Sequence, residues 1–202
     1  MNIKEVKLSE ALNTYLQRVS IHKKGYKQEC YRVNTILKHS ISDKFVHEIT
    51  SVDIATYRDD RLQAKVGKLD RTVSNNTVRL ELALLSDLFN VGHIEWGICS
   101  DNPVTRVRKP KLPPGRDRRL RPYEERRILR AAAAHSNPEL RVIIIVAIES
   151  AMRQGEILSL MWENINLRVG VAHLPSTKNG TSRDVPLSIR AREALISLGA
   201  KA

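Results

Sequence analysis

Residues 102–121 carry Pro103, Pro110, Pro113, Pro114 and Gly115 and few large apolar side chains. Proline lacks a backbone donor and fixes φ, so neither a helix nor a sheet ladder runs through such a stretch. The chain is therefore expected to divide here, into a first domain over 1–101, a linker over 102–121 and a second domain over 122–202. The same stretch holds Arg106, Arg108, Lys109, Lys111, Arg116, Arg118, Arg119 and Arg121 against Asp117 alone, a net charge of +7. Prolines make it extended and semi-stiff, and the charge suits a phosphate backbone. The bland reading is a solvated spacer. Both hold at once for a linker that crosses a DNA backbone.

The flanks differ in period. Before the linker, Leu8, Ala11, Leu12, Tyr15, Leu16 and Val19 form a stripe of period 3.6, with Ser9 as its expected cap. Tyr26, Cys30, Val33 and Leu37 recur at helical spacing after Gly25. Ser51 is placed to cap a third helix through Ile54, Tyr57, Arg58 and Leu62, and Ser74 opens a fourth through Val78, Leu82, Leu85 and Phe89. No segment there alternates like a half-buried strand, so a four-helix domain is predicted. After the linker, Pro122 suits a helix first turn, with Glu124 and Glu125 at its positive end. Residues 138–148 read as an apolar helix buried nearly all round, and 154–161 as a short amphipathic one. Val169, Val171, Ala172 and Leu174 then read as a strand, and residues 184–187 as the end of another. Asn179-Gly180 between them is a hairpin-turn signal, and a last helix is expected over 188–198. The predicted fold class is mainly α with a small antiparallel sheet.

Aromatics make up only 4% of the chain, so the core must be aliphatic, which favours packed helices. The formal charge of +12 points to a polyanionic partner, most commonly nucleic acid. Cys30 and Cys99 cannot build a disulfide framework or a metal cluster. The N-terminus lacks the apolar core of a signal peptide, and the longest apolar run is too short to span a bilayer. A cytoplasmic protein, associated with nucleoid or plasmid, is the expectation.

Two motifs in the second half carry chemistry. Residues 149–158, ESAMRQGEIL, place Arg153 at the turn between an apolar helix and the next, with Glu156 near enough to anchor it. A guanidinium so placed suits a phosphate oxygen, although an Arg near a Glu at a helix start is more often a structural ion pair. Residues 177–187, TKNGTSRDVPL, place Lys178 beside a tight turn, where it can offer charge and proton to a substrate; the bland reading is an edge lysine that discourages aggregation.

The order of helix, Arg-x-Gly-Glu-Ile-Leu-x-Leu, Trp162, strand, Thr-Lys-Asn-Gly, Arg183 and Val-Pro-Leu resembles the first half of the catalytic domain of tyrosine recombinases, the phage-integrase family. That match covers roughly 120–202, and the helical domain before it resembles the family's core-binding domain. VDIATYRDDRL, NTVRLELALLSDLFN, RKPKLPPGRDRRL, AMRQGEIL and TKNGTSRDVPLS look most like the shufflon-type DNA-inverting branch. The resemblance implies strand cleavage by a tyrosine through a 3′-phosphotyrosyl link, with no metal and no cofactor. Arg153 matches the first catalytic arginine, which stabilises charge on the pentacoordinate phosphate. Lys178 matches the hairpin lysine, the general acid for the leaving 5′-oxygen. Glu156 matches an acidic position that supports the arginine, and Arg183 a phosphate contact. The partner implied is a double-stranded recombination site, on which the family tetramerises; no membrane is involved.

The family's later His-x-x-Arg pair, a further His or Trp, the nucleophilic tyrosine and the C-terminal exchange segment have no counterpart among the 202 residues. All five tyrosines (Tyr15, Tyr26, Tyr31, Tyr57 and Tyr123) precede Arg153. The sequence therefore reads as a C-terminally truncated recombinase: its DNA-binding and partial catalytic portion, inactive alone. The alternatives are a non-enzymatic competitor at recombination sites and a decayed mobile-element remnant.

Overall fold

The computed structural model describes residues 5–67, 71–115, 117–177 and 180–199. The chain forms two units, Met1–Gly115 and Arg116–Ala202, and is mainly helical with small antiparallel sheets.

The first unit is built on α1 (Leu8–Arg18), α2 (Tyr26–Ile36), α3 (Ser51–Gln63) and α4 (Asn75–Val91). Leu8, Leu12, Tyr15, Val33, Ile36, Ile54, Tyr57, Val78, Leu82, Leu85 and Phe89 are fully buried, whereas Tyr26, expected on the inner stripe of α2, is 40% exposed, and Ile36 is buried there instead. Two helix starts differ from expectation. α1 begins before Ser9, with Lys7 at the cap position and no side-chain cap. Leu8 is buried there, and the Lys44 carbonyl accepts its N–H at 2.9 Å, so tertiary structure satisfies one of the free N–H groups at the helix start. α3 is capped by Thr50, not Ser51: Thr50 Oγ1 accepts the Asp53 N–H, and the Asp53 carboxylate accepts the Thr50 N–H, a reciprocal box. Ser74 caps α4 as expected, accepting the Thr77 N–H. Between α3 and α4 lies a two-residue ladder that alternation could not reveal, β1 (Lys65–Val66) with β2 (Arg71–Thr72). α4 runs on into a wider turn, Gly92–Trp96, which ends at Gly97 in the left-handed region (φ +63°).

One polar cluster interrupts this core. Glu81 is only 1% exposed. It accepts the Tyr57 hydroxyl at 2.8 Å and a two-pronged grip from Arg61 at 2.8 and 2.9 Å. Removing one partner of a buried pair leaves the other desolvated and uncompensated. Glu81→Ala is therefore expected to destabilise the first unit by about 3 kcal/mol, measured as a lowered denaturation midpoint. A change within a few tenths would mean that water reaches Arg61 freely.

The first half of the expected linker belongs to this unit. Asn102 donates to Ser86 O and Asn90 Oδ1 on α4 and accepts the Val104 N–H. Pro103, Val104 and Val107 are buried. Three small apolar side chains and one asparagine suffice to dock a stretch that composition alone marks as a spacer.

In the second unit, Pro122 opens α5 (Pro122–Ala133), and the Glu124 carboxylate accepts the Arg121 N–H. α6 (Glu139–Ser150), α7 (Gln154–Leu158), the sheet β3 (Ile165–Asn166), β4 (Val171–Leu174) and β5 (Arg183–Pro186), and α8 (Ile189–Ile196) follow. The strands pair antiparallel in the order β3-β4-β5, with His173 opposite Asp184 and Leu174 opposite Arg183. Three expectations need correction. β4 starts at Val171, because Val169 is 70% exposed and Gly170 (φ +79°) turns the chain back from β3. α7 ends at Leu158, where Ser159 leaves helical geometry, and a single tight turn at Trp162–Asn164 follows. α6 is not buried all round. It turns Val142, Ile145 and Val146 inward, while Ile148 is 37% exposed. Val142, Ile143 and Val146 line a cleft of about 170 Å³ with Ile157, Trp162 and Leu195.

Among the described residues no helix is long and apolar enough to cross a membrane, and no cluster of three or more His, Cys, Asp or Glu could hold a metal ion.

Candidate active site and nucleic-acid interface

The turn from α6 to α7 is held at every step. Ser150 Oγ donates to the Val146 carbonyl at 2.6 Å and accepts the Met152 N–H. Ala151 takes the left-handed conformation (φ +51°), the only non-glycine among the described residues to do so. That conformation costs an L-residue roughly 1 kcal/mol, and it lets the chain reverse and start a new helix within three residues. Met152 is buried, so Arg153 arrives at the α7 cap position with its backbone fixed.

Glu156 then organises two arginines. It is only 7% exposed. Oε2 accepts the Arg153 backbone N–H at 3.0 Å and Arg183 Nη2 at 2.8 Å, and Oε1 accepts Arg153 Nη1 at 2.8 Å. Arg183 enters from the first position of β5, so this carboxylate ties the α6–α7 turn to the sheet. Each guanidinium has five N–H donors and spends one on Glu156, and the Arg153 and Arg183 side chains stay 56% and 45% exposed. The remaining donors have no partner among the described residues. Two cations oriented by one buried carboxylate, each with open donors, suit an incoming anion.

The backbone N–H of Arg153, and after it the two guanidiniums, hold the Glu156 carboxyl below the ordinary value of 4.5. A carboxylate with a depressed folded value stabilises fully above its unfolded value and loses that contribution as pH falls through the folded one. The second unit should therefore lose stability steeply below about pH 4.5, and Glu156→Gln should be less stable at pH 7 and flatter in acid. Thermal scans of both proteins between pH 7 and pH 3 decide this; parallel curves would remove Glu156 from the account.

The hairpin that follows β4 closes through the Thr177 N–H on Thr181 O and the Gly180 N–H on Thr177 O, with Gly180 at φ +86°. Lys178, expected at its tip, lies outside the described residues, as does Asn179. Arg183 is two residues past the hairpin's closing contact, and the His173–Asp184 pair at 2.6 Å braces the adjacent rung.

The basic stretch divides into paired and unpaired cations. Arg106 is bound to Asp101 at 2.5 Å, and Arg118 is bound to Glu124. Arg116 lies outside the described residues. Arg108, Lys109, Lys111 and Arg119 are exposed and have no ion-pair partner among the described residues. Sequence reasoning missed the groups that fix the first part of this stretch. Arg58 Nη1 donates to Arg108 O at 2.9 Å, Arg79 Nη1 to Pro110 O at 3.0 Å, and Asn75 Nδ2 to Lys111 O at 2.7 Å. Their signal was present as a polar stripe on α4, Asn75, Arg79, Ser86 and Asn90, spaced four, seven and four residues apart.

Comparison with known proteins places this architecture. The phage integrase N-terminal domain matches residues 5–111 and the phage integrase family matches residues 118–202. The chain belongs to the phage integrase family. A shufflon-specific DNA recombinase of Escherichia coli is 58% identical over 193 residues, covering 96% of this chain and 50% of that protein. A lambda integrase dimer bound to a COC′ core site superposes with a TM-score of 0.74 at 22% identity, covering 95% of this chain and 69% of that one. A lambda integrase tetramer bound to a Holliday junction gives 0.75 at 23% identity, covering 95% and 56%. At such identities the structural likeness shows the fold. The chain spans about half the length of the curated relatives it matches.

Proposed function

We propose that this chain binds duplex DNA at a recombination site and carries one half of a site-specific recombinase's phosphoryl-transfer centre. The observation that carries this reading is the pair of exposed guanidiniums, Arg153 and Arg183, oriented by the buried Glu156. The family supports it, as do the relatives' names, in which integrases hold a core site and a Holliday junction.

In this reading Arg153 lies against a non-bridging oxygen of the scissile phosphate and offsets the charge that grows there as the phosphorus becomes five-coordinate. Arg183 adds a second contact. Glu156 touches neither substrate nor reacting atoms and is a positioning residue. Lys178 gives a proton to the departing 5′-oxygen. These residues bind, orient and protonate; none supplies the attacking oxygen. On their own these 202 residues would occupy the site without cutting it.

The test is a series of shufflon-type duplexes in which one neutral methylphosphonate is stepped along each strand. Charged hydrogen bonds contribute about 1.5–3 kcal/mol, so neutralising the phosphate under Arg153 should weaken wild-type binding at least tenfold. Arg153→Ala should be insensitive at that one position and normal at the others. Equal sensitivity of both proteins everywhere would remove Arg153 from the phosphate.

A further inference from the structure

Residues 102–111 follow α4 in the opposite direction. Asn102 is anchored near the helix's C-terminal end on Ser86 and Asn90, and Pro110 and Lys111 are held near its N-terminal end by Arg79 and Asn75. From the other side Arg58 of α3 holds Arg108 O. Three of four consecutive carbonyls, those of 108, 110 and 111, are thus taken by side chains. In an extended exposed segment such carbonyls ordinarily bond to water, and the backbone samples many conformations. Capturing them removes that freedom while leaving the side chains of Arg108, Lys109 and Lys111 exposed.

The two arginines involved would ordinarily be assigned to phosphate. Arg58 is instead committed on both flanks: Nε and Nη2 engage Asp59 at 2.8 Å, and Nη1 takes the Arg108 carbonyl. Arg79 is half-buried and aimed at the Pro110 carbonyl. Asn75 is neutral and occupies the first position of α4.

We propose that Arg58, Asn75 and Arg79 are positioning residues that hold 108–111 as a strap folded along α4 before DNA arrives, so that its cations meet the phosphates already ordered. This rests on the duplex-DNA reading above. Ordering a flexible segment on binding costs free energy, and preorganisation removes that cost.

The experiment compares wild type, Asn75→Ala and the double variant Asn75→Ala/Arg79→Lys, all as the full 202-residue chain. Both substitutions keep the net charge, and alanine at an exposed first helical position preserves α4, so the single variant serves if the double one folds poorly. Backbone ¹⁵N relaxation without DNA should give Arg108, Lys109 and Lys111 order parameters near the roughly 0.85 of rigid backbone in wild type and below about 0.6 in the double variant. On a random duplex the double variant should bind about tenfold more weakly with an unchanged log–log salt slope, because the number of phosphates neutralised is unchanged. A merely structural role would loosen the strap without touching affinity. A flexible strap in wild type, or a loosened strap with wild-type affinity, overturns the proposal. A rigid strap in a wild type that binds no duplex overturns the DNA reading instead.

Discussion

Raising salt from 50 to 200 mM is expected to weaken the chain's binding to duplex DNA by about 500-fold, with a log–log slope near −4.5. The figure follows from about five phosphates, each contributing a slope of roughly −0.9 as its counterion is released. Four are met by Arg108, Lys109, Lys111 and Arg119, which have no carboxylate partner among the described residues, and the fifth is shared by Arg153 and Arg183, which keep open donors beside Glu156. Arg106 and Arg118 should count for much less. Asp101 and Glu124 already neutralise them, so few counterions remain to release. The triple variant Arg108→Ala/Lys109→Ala/Lys111→Ala should therefore flatten the slope by about 2.7 units and weaken binding to specific and random sequences alike, because phosphate contacts position without reading bases. The double variant Arg106→Ala/Arg118→Ala should flatten it by less than about one unit. A salt titration of all three proteins by fluorescence anisotropy separates these cases. If the triple variant keeps the wild-type slope, the stretch is only a spacer and the charge acts elsewhere. If the double variant flattens it by about 1.8 units, both ion pairs open on DNA.

The division between paired and unpaired cations marks what the sequence could and could not reveal. Helix identity was legible because it depends on spacing: Leu8, Ala11, Leu12 and Tyr15 repeat at 3.6 and are buried for that reason. The sheet was half legible. Asn179-Gly180 announced the β4–β5 hairpin, but β3 has only Ile165 and Asn166, too few residues for any alternation to register. Charge was legible only in sum. Eight basic residues in twenty pointed to a polyanionic partner, yet which of them stay available depends on Asp101 and Glu124, whose proximity is a product of folding.

Arg153 shows the same limit from the other side. Its place at a helix start with Glu156 three residues on was readable, and so was the possibility that the two form a structural pair. Structure makes them a pair and adds Arg183, 27 residues away from Glu156, to the same carboxylate. The structural and chemical readings of Arg153 are therefore not rivals. A guanidinium that spends one donor on a buried anchor is better oriented for an anion than a free one, since less rotamer freedom remains to be lost. Ala151 had no signal at all: it takes a left-handed backbone at the end of α6, and nothing in an alanine announces it.

Incubated with a suicide duplex carrying a shufflon-type site, this 202-residue chain is expected to give no covalent protein–DNA adduct. In the proposed reading a tyrosine oxygen must lie in line with the phosphate that Arg153 contacts, and two of the five tyrosines are committed elsewhere. Tyr15 and Tyr57 are fully buried in the first unit, their hydroxyls held by Lys23 and Asp87 in one case and by Glu81 in the other. Burial, with those carboxylates, raises both phenols above their ordinary value and makes the phenolate form rarer still. Tyr26 and Tyr31 lie on α2 of the same unit. Tyr123 alone belongs to the second unit, near the start of α5. Binding and charge stabilisation do not need the nucleophile, but no phosphotyrosyl bond forms without the attacking oxygen. The expected result is a retarded complex on a native gel and, from the same sample, no shifted band after denaturation. Because the outcome is all or none, a small yield is informative. Any adduct that survives denaturation, and that Tyr123→Phe abolishes, would make Tyr123 a nucleophile and overturn the reading of this chain as half of a catalytic centre.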